Sequence, residues 1–353
     1  MGFFEESGIG NIVKNLCSNL VAKNYSVSVG VLAQKYVLTD IPVGCKVFYF
    51  TKHVTLSRLF GGLALSQDWQ SNIKGDIIHH HQGSLIMRKL PFENGGVILH
   101  YHGANPRFEE NAKVMYEARQ IRRHASKAAA IITVSQFAKR ELQELFNVRS
   151  EIDVIYPGVD TESFTTELPA KYRRGTPSFL FVGALVKKKA INRLLDAIAT
   201  VRKENPDAFL RVIGTGPRFY ELRDQIRRLD LERNTEIVTS WVSRRELPLY
   251  YASCDAYVSA SVWESFGLPV LEAMACGKPV VGPSVGSYPE IISESSAGAV
   301  YESQNVEDLA KTMTKIVSHA EEYKTKARDY ALKHTWRNMT DEIEKVYRKV
   351  SQV

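Results

Sequence analysis

Strand-like apolar runs alternate with amphipathic helix-like segments from one end of this chain to the other. That alternation prescribes parallel sheets covered by helices, because a parallel neighbour strand needs a crossover long enough to hold a helix. Strands are expected at 27–32, 46–50, 76–79, 97–100, 130–134 and 153–155 in the first half, and at 178–182, 209–213, 236–238, 256–259 and 279–281 in the second. Helices are expected at 306–333 and 336–350. A looser stretch through Glu167, Pro169, Arg173, Gly175 and Pro177 separates the halves. The 353 residues are long for one doubly wound domain and comfortable for two. The fold class is therefore α/β, with two Rossmann-like domains: residues 1–160, a linker at 161–177, and residues 178–333, followed by a final helix in 334–353. Ligands of such sheets bind outside the carboxyl ends of the strands, so two facing domains imply a central cleft.

Bulk composition excludes several classes. An apolar content of 44% with 24% charged residues belongs to a globular chain, and no apolar run approaches the roughly 20 residues that cross a bilayer. No basic region followed by an apolar core opens the chain, so a cytoplasmic address is expected. Cys17, Cys45, Cys254 and Cys276 form no C-x-x-C pair, which argues against a zinc ribbon or a disulfide framework. The net charge of +7 favours anionic partners without choosing among nucleotides, lipid headgroups and nucleic acid. No recognition motif accompanies that charge, and nucleic acid is not expected as a partner.

The most informative segment is Glu264-Ser265-Phe266-Gly267-Leu268-Pro269-Val270-Leu271-Glu272. An apolar strand leads in, a glycine turn follows, and a helix is expected from about Leu268 to Cys276. The start of that helix offers unpaired N–H groups and the positive end of its dipole to a phosphate. Two carboxylates beside an anion site make sense where they accept hydrogen bonds from sugar or ribose hydroxyls. The segment reads as a nucleotide-sugar site.

Together with Ala275-Cys276-Gly277-Lys278-Pro279-Val280-Val281, this run resembles the E-x7-E signature of retaining family-4 glycosyltransferases of GT-B fold. Other pieces stand in the family's order: Gly8-Ile9-Gly10, Asp76 to His81, His102-Gly103, Val134-Ser135, Pro157 to Asp160, Gly183-Ala184-Leu185, Gly214-Thr215-Gly216-Pro217 and Gly286 to Glu290. The resemblance implies hexosyl transfer from a nucleoside-diphosphate sugar to a glycan, lipid-linked oligosaccharide or polysaccharide hydroxyl. By the same resemblance Glu264 touches the sugar, Glu272 the ribose, and Lys189 the leaving phosphate, while His102 reaches the donor sugar or acceptor. The diphosphate falls to amides near Phe266, Gly267 and Leu268, with Ser265 also at the donor site, and the base to backbone around Val238 to Val242. Gly8, Gly10, Gly183, Gly214 and Gly216 line the donor site. No carboxylate is an obvious nucleophile, so a front-side route with retention is implied, requiring no metal or other cofactor. The final helix is implied to cross back to the first domain.

Two departures matter. Ala184 stands where the family places an arginine, so Lys187 or Lys188 is expected to supply the missing cation. Only Met1 to Ser7 precede Gly8, so the first strand reads as truncated. Both departures keep open a second reading, a nucleotide-sugar-binding or scaffold protein of the same fold. Five histidines between His79 and His102 suggest a metal, since alternate strand positions share a face. Without an acidic or cysteine ligand among them, strand-end packing and substrate contact are expected instead. Gly8-Ile9-Gly10 lacks the third glycine of a dinucleotide fingerprint. Arg119, Arg122, Arg123, His124 and Lys127 read first as a solvated helix face, and second as a dock for anionic membrane lipids.

Overall fold

The computed structural model describes residues 8–32, 44–50, 76–82, 96–103 and 112–352. The chain forms two compact units: Met1–Pro157 together with Trp336–Val353, and Gly158–Thr335.

In the first unit, β1 (Ser28–Leu32) pairs in parallel with β2 (Lys46–Phe50). The strands β3 (Ile77–Gln82), β4 (Gly96–Tyr101), β5 (Ala130–Thr133) and β6 (Asp153–Val154) make a four-stranded parallel sheet in that order. Val97, Ile98 and Leu99 are all buried, as a strand covered on both faces requires. The helices of this unit are α1 (Gly8–Ala22), α2 (Ala112–Ala125), α3 (Gln136–Glu144) and α11 (Trp336–Ser351). Ser135 caps α3 by accepting a 2.9 Å hydrogen bond from the Ala138 amide.

Gly8-Ile9-Gly10, whose glycines are expected at the donor site, forms the first turn of α1. Glycine disfavours a helix by roughly 1 kcal/mol. Burial of Ile12, Leu16 and Leu20 on one face outweighs that, each worth about 1.5–3 kcal/mol. The expected remnant of a strand at Gly2–Glu6 lies outside the described residues. The last helix, α11, packs on α1. Lys23 pairs with Asp341 and Glu344, each at 2.5 Å, and Tyr25 donates to Glu344 at 2.9 Å.

The second unit is a six-stranded sheet, every pair parallel, in the order β12-β11-β10-β7-β8-β9. Its strands are β7 (Ser178–Val182), β8 (Phe209–Ile213), β9 (Thr235–Val238), β10 (Ala256–Val258), β11 (Val280–Pro283) and β12 (Gly298–Tyr301). Its helices are α4 (Ile191–Glu204), α5 (Phe219–Arg228), α6 (Leu247–Ala252), α7 (Leu268–Ala275), α8 (Tyr288–Ser295), α9 (Val306–Val317) and α10 (Ala320–Lys333). Ile191, Leu194, Leu195, Ile198 and Val201 bury one stripe of α4 against this sheet's core. The strand order reverses between β7 and β10, and that is where an open α/β sheet holds ligand.

Three sequence expectations change here. The stretch 161–177 is not a free linker. Arg328 donates to the Phe164 carbonyl at 2.6 Å, Tyr172 donates through its amide to Ser253 at 2.9 Å, and Arg173 pairs with Asp255 at 2.9 Å. These bonds belong to the second unit, whose boundary falls earlier, after Pro157. The single helix expected over 306–333 is two helices, α9 ending at Val317 and α10 starting at Ala320. Strand β12 went unread because its glycine and alanine are poor strand formers and its Val300 is exposed.

Candidate active site

The loop after β7 and the loop after β10 leave the sheet side by side at its switch point. The first loop carries Lys187–Lys189 in a 3-10 turn that ends on Ala190, a left-handed residue with φ 45°. The second runs through Ser259 to Gly267 into α7. Two contacts join them. The Val262 amide donates to the Lys188 carbonyl at 2.9 Å, and the Lys189 ammonium pairs with the Glu264 carboxylate. Both charged side chains are mostly covered, 17% and 15% exposed, so their attraction is far less screened than at a surface. An ammonium has three donors, so Lys189 keeps two for an anion while holding Glu264.

Gly286 explains how Glu264 is fixed. Its φ of 69° is left-handed, and a Cβ there would lie 2.5 Å from the Glu264 carbonyl oxygen. The close approach lets the Ser287 amide donate to that carbonyl at 3.1 Å, while the Ser287 hydroxyl donates to the Phe266 carbonyl at 2.8 Å. Beneath the loop, the Tyr288 hydroxyl donates to Ser259 at 2.6 Å and Ser259 donates to Ser261 at 3.1 Å, all buried. Phe266 is buried, and Gly267 caps α7 with φ 83°. Leu268 then opens α7, and its N–H is among the donors that a helix start leaves without an intrahelical partner. Ser265, Gly267 and Leu268 are half-buried.

Glu272 is placed differently from Glu264. It is 4% exposed, and both of its oxygens are engaged: the Arg244 guanidinium donates at 2.6 Å and the Tyr251 hydroxyl at 2.8 Å. Burial, with Glu272 beside it, holds the Tyr251 hydroxyl well above the ordinary phenol range, so it remains a donor. Arg244 also lies over the Phe164 ring at 5.2 Å. Neither Arg244 nor Tyr251 was expected from sequence, since each stands more than 20 residues from its carboxylate. The doubled arginine Arg244-Arg245 was the only hint.

The remaining expected donor residues cluster on the same side. A Cβ at Gly214 would lie 2.0 Å from the Gly183 carbonyl oxygen, and one at Gly216 would lie 2.5 Å from that of Leu185. The glycine loop after β8 therefore rests directly on the loop that carries the lysines. Ala184 and Lys187 are exposed, whereas Lys188 is half-buried with its ammonium 5.3 Å from the Trp263 ring centre. Burial lowers the Lys188 pKa, and Glu264 partly restores it. Val242 is half-buried after β9, next to Trp241, which is 55% exposed.

His102 belongs to the first unit. It is buried at the end of β4, its Nε2 3.0 Å from His81 Nδ1, and burial holds its pKa well below the histidine range. Gly8 and Gly10 also belong to that unit, in α1.

Two family models divide the chain between them. Residues 7–163 match Glycosyltransferase Family 4, and residues 165–334 match Glycosyl transferases group 1. The chain belongs to the family-4 glycosyltransferases. An uncharacterised glycosyltransferase of Methanocaldococcus jannaschii is 29% identical over 288 residues, 78% of this chain and 76% of that protein. An O-antigen chain mannosyltransferase of Escherichia coli is 27% identical over 260 residues, 69% of this chain and 66% of that protein. Among solved structures, the sucrose-phosphate synthase of Thermosynechococcus elongatus superposes with a TM-score of 0.80 at 18% identity, covering 97% of this chain and 93% of that one. An Anabaena protein crystallised with UDP and glucose superposes at 0.76 with 20% identity, covering 97% and 96%. The fold of this glycosyltransferase is thus GT-B, with every described strand paired in parallel. No helix among its described residues is long and apolar enough to cross a membrane.

Proposed function

We propose that this glycosyltransferase moves a hexosyl group from a nucleoside-diphosphate sugar to a hydroxyl of a glycan or lipid-linked acceptor, with retention of configuration. The observation that carries this reading is the covered Lys189–Glu264 pair at the entrance to α7. Glu264 accepts hydrogen bonds from the sugar hydroxyls. Lys189 and the start of α7 face the diphosphate, the first with a full charge and the second with amides and helix dipole. The bond between the anomeric carbon and the phosphate oxygen breaks, and its electron pair leaves with the nucleoside diphosphate. The acceptor oxygen forms the new bond on the same face, and its proton passes to the departing phosphate. Lysine and helix amides stabilise the charge that develops, and no metal is needed for this step. His102 orients the sugar or acceptor hydroxyl as a neutral imidazole.

Arg244 and Tyr251 refine the role proposed for Glu272. They hold its carboxylate in one orientation, and each oxygen retains a lone pair for a ribose hydroxyl. The alternative is a protein of this fold that binds donor without transferring it, favoured by Ala184, which carries no charge beside Gly183.

The test is a panel of nucleoside-diphosphate sugars, read by thermal stabilisation and by donor hydrolysis or transfer. One donor is expected to do both. Lys189→Ala and Glu264→Ala are each expected to cut turnover at least tenfold while the protein stays folded. Full turnover in either folded variant removes that residue from the mechanism, and donor binding with neither hydrolysis nor transfer selects the alternative.

A further inference from the structure

Three histidines of the first unit, His79, His81 and His100, stand beside His102 and have no part in the proposed transfer reaction. Strands β3 and β4 run in parallel with His81 opposite His100 and His79 opposite Ile98. Side chains at alternate strand positions share a face, so His79, His81, His100 and His102 come together as a two-by-two array of imidazoles. Along each strand the ring centres are 4.3 Å apart, and across the strands they are 5.2 Å apart for the pairs His79–His100 and His81–His102. His100 is 1% exposed and His102 6%. Burial is the main cause of lowered pKa values throughout the array, His79 falling to about 3. A neutral imidazole offers one bare nitrogen, the lone pair that binds a metal.

We propose that His79, His81 and His100 form a binding site for a late first-row transition cation of the zinc(II) class. Two observations carry it. One nitrogen from each of the three rings lies within 4.8 Å of the others. His79 Nε2 and His100 Nδ1 are 3.2 Å apart, close to the ~3.3 Å between two nitrogens on a tetrahedral zinc. The His81 nitrogen lies within 4.8 Å of both. Next, His79 Nδ1 lies 2.6 Å from the hydroxyl of Tyr347, a buried side chain on α11. Donating Nδ1–H there leaves the Nε2 lone pair facing the cluster, the outer hydrogen bond that metal-bound histidines usually make. Neutral imidazoles without carboxylates suit zinc, copper, nickel or cobalt rather than magnesium or calcium, which take oxygen ligands.

The test uses the full chain without a polyhistidine tag, stripped with a chelator and titrated with cobalt(II). One saturable equivalent is expected, with the visible absorption of tetrahedral cobalt, displaced by zinc(II). Zinc is expected to raise the melting temperature and magnesium to leave it unchanged. His79→Gln combined with His100→Gln is expected to abolish the signal, and Tyr347→Phe to weaken binding by roughly 10- to 100-fold. X-ray absorption of the zinc-loaded wild type is expected to show three imidazole ligands, and it decides the matter if the double variant fails to fold. An absence of saturable cobalt binding by the wild type overturns the proposal. So does cobalt binding that survives in a folded double variant, or a zinc shell without imidazoles.

Discussion

Lys188 sits in the position that the missing arginine makes important. Its ammonium lies over Trp263 while its backbone is tied to Val262, and Glu264 acts on its charge. Lys187, one residue earlier, is exposed. The two lysines that the sequence left equivalent are therefore expected to separate in kinetics. Lys188→Ala should lower kcat about tenfold or more, the effect of removing a cation from a partly desolvated phosphate clamp, while Lys187→Ala stays within about twofold. Equal effects from the two substitutions in a steady-state assay would count against Lys188 as the second cation. At this scale Glu264 and Lys189 were named as candidates through the motifs they stand in, and the structure pairs the two side chains. Arg244, Tyr251 and Trp263 were hidden because their partners are brought to them by the sheet, and no local spacing records that.

Elements were legible where burial on both faces turns a strand into an apolar run, as in Ser178–Val182 and Phe209–Ile213, both found where expected. They were illegible where tertiary packing overrode local preference. Gly8 and Gly10 enter a helix because the residues behind them bury a continuous face. The stretch 161–177 has the glycine and proline content of a linker, yet it is pinned by Arg328, Ser253 and Asp255. The glycine loops carry the sharpest prediction at this scale. A methyl group at Gly214 has no room, since it would meet the Gly183 carbonyl at 2.0 Å, and backbone cannot swing aside as a flexible side chain can. Gly214→Ala is expected to lower the melting temperature by several degrees and to weaken donor binding together with it. A variant with wild-type melting and donor affinity would show that the two loops are not locked together.

Across the whole molecule, acid is expected to act on the two units unequally. His79, His80, His81, His100 and His102 are all held neutral by burial in the first unit, whereas the second contains only His334 in that condition. Unfolded histidines protonate near pH 6.5, so below that pH the unfolded state binds more protons and stability is lost as pH falls toward 3. A second loss follows at lower pH. Lys23, Arg348 and Tyr25 hold the Glu344 carboxyl at about 2, so its contribution is present above the ordinary carboxylate pKa and disappears as pH falls toward 2. In chelator-stripped protein, hydrogen exchange corrected for intrinsic rates should show β3 and β4 losing protection between pH 6.5 and 5, while β7 and β8 keep theirs. Parallel loss in both sheets would rule out buried histidine as the cause.

The return of α11 to α1 has a consequence for synthesis. The unit begun first cannot be finished until the last helix leaves the ribosome, because Glu344 and Tyr347, which hold Lys23, Tyr25 and His79, lie beyond the whole second unit. At about 5–20 residues per second, the intervening segment takes roughly 10–35 s to make. Through that interval the second unit can close on contacts of its own, while the nascent first unit exposes the face of α1 that awaits its partner.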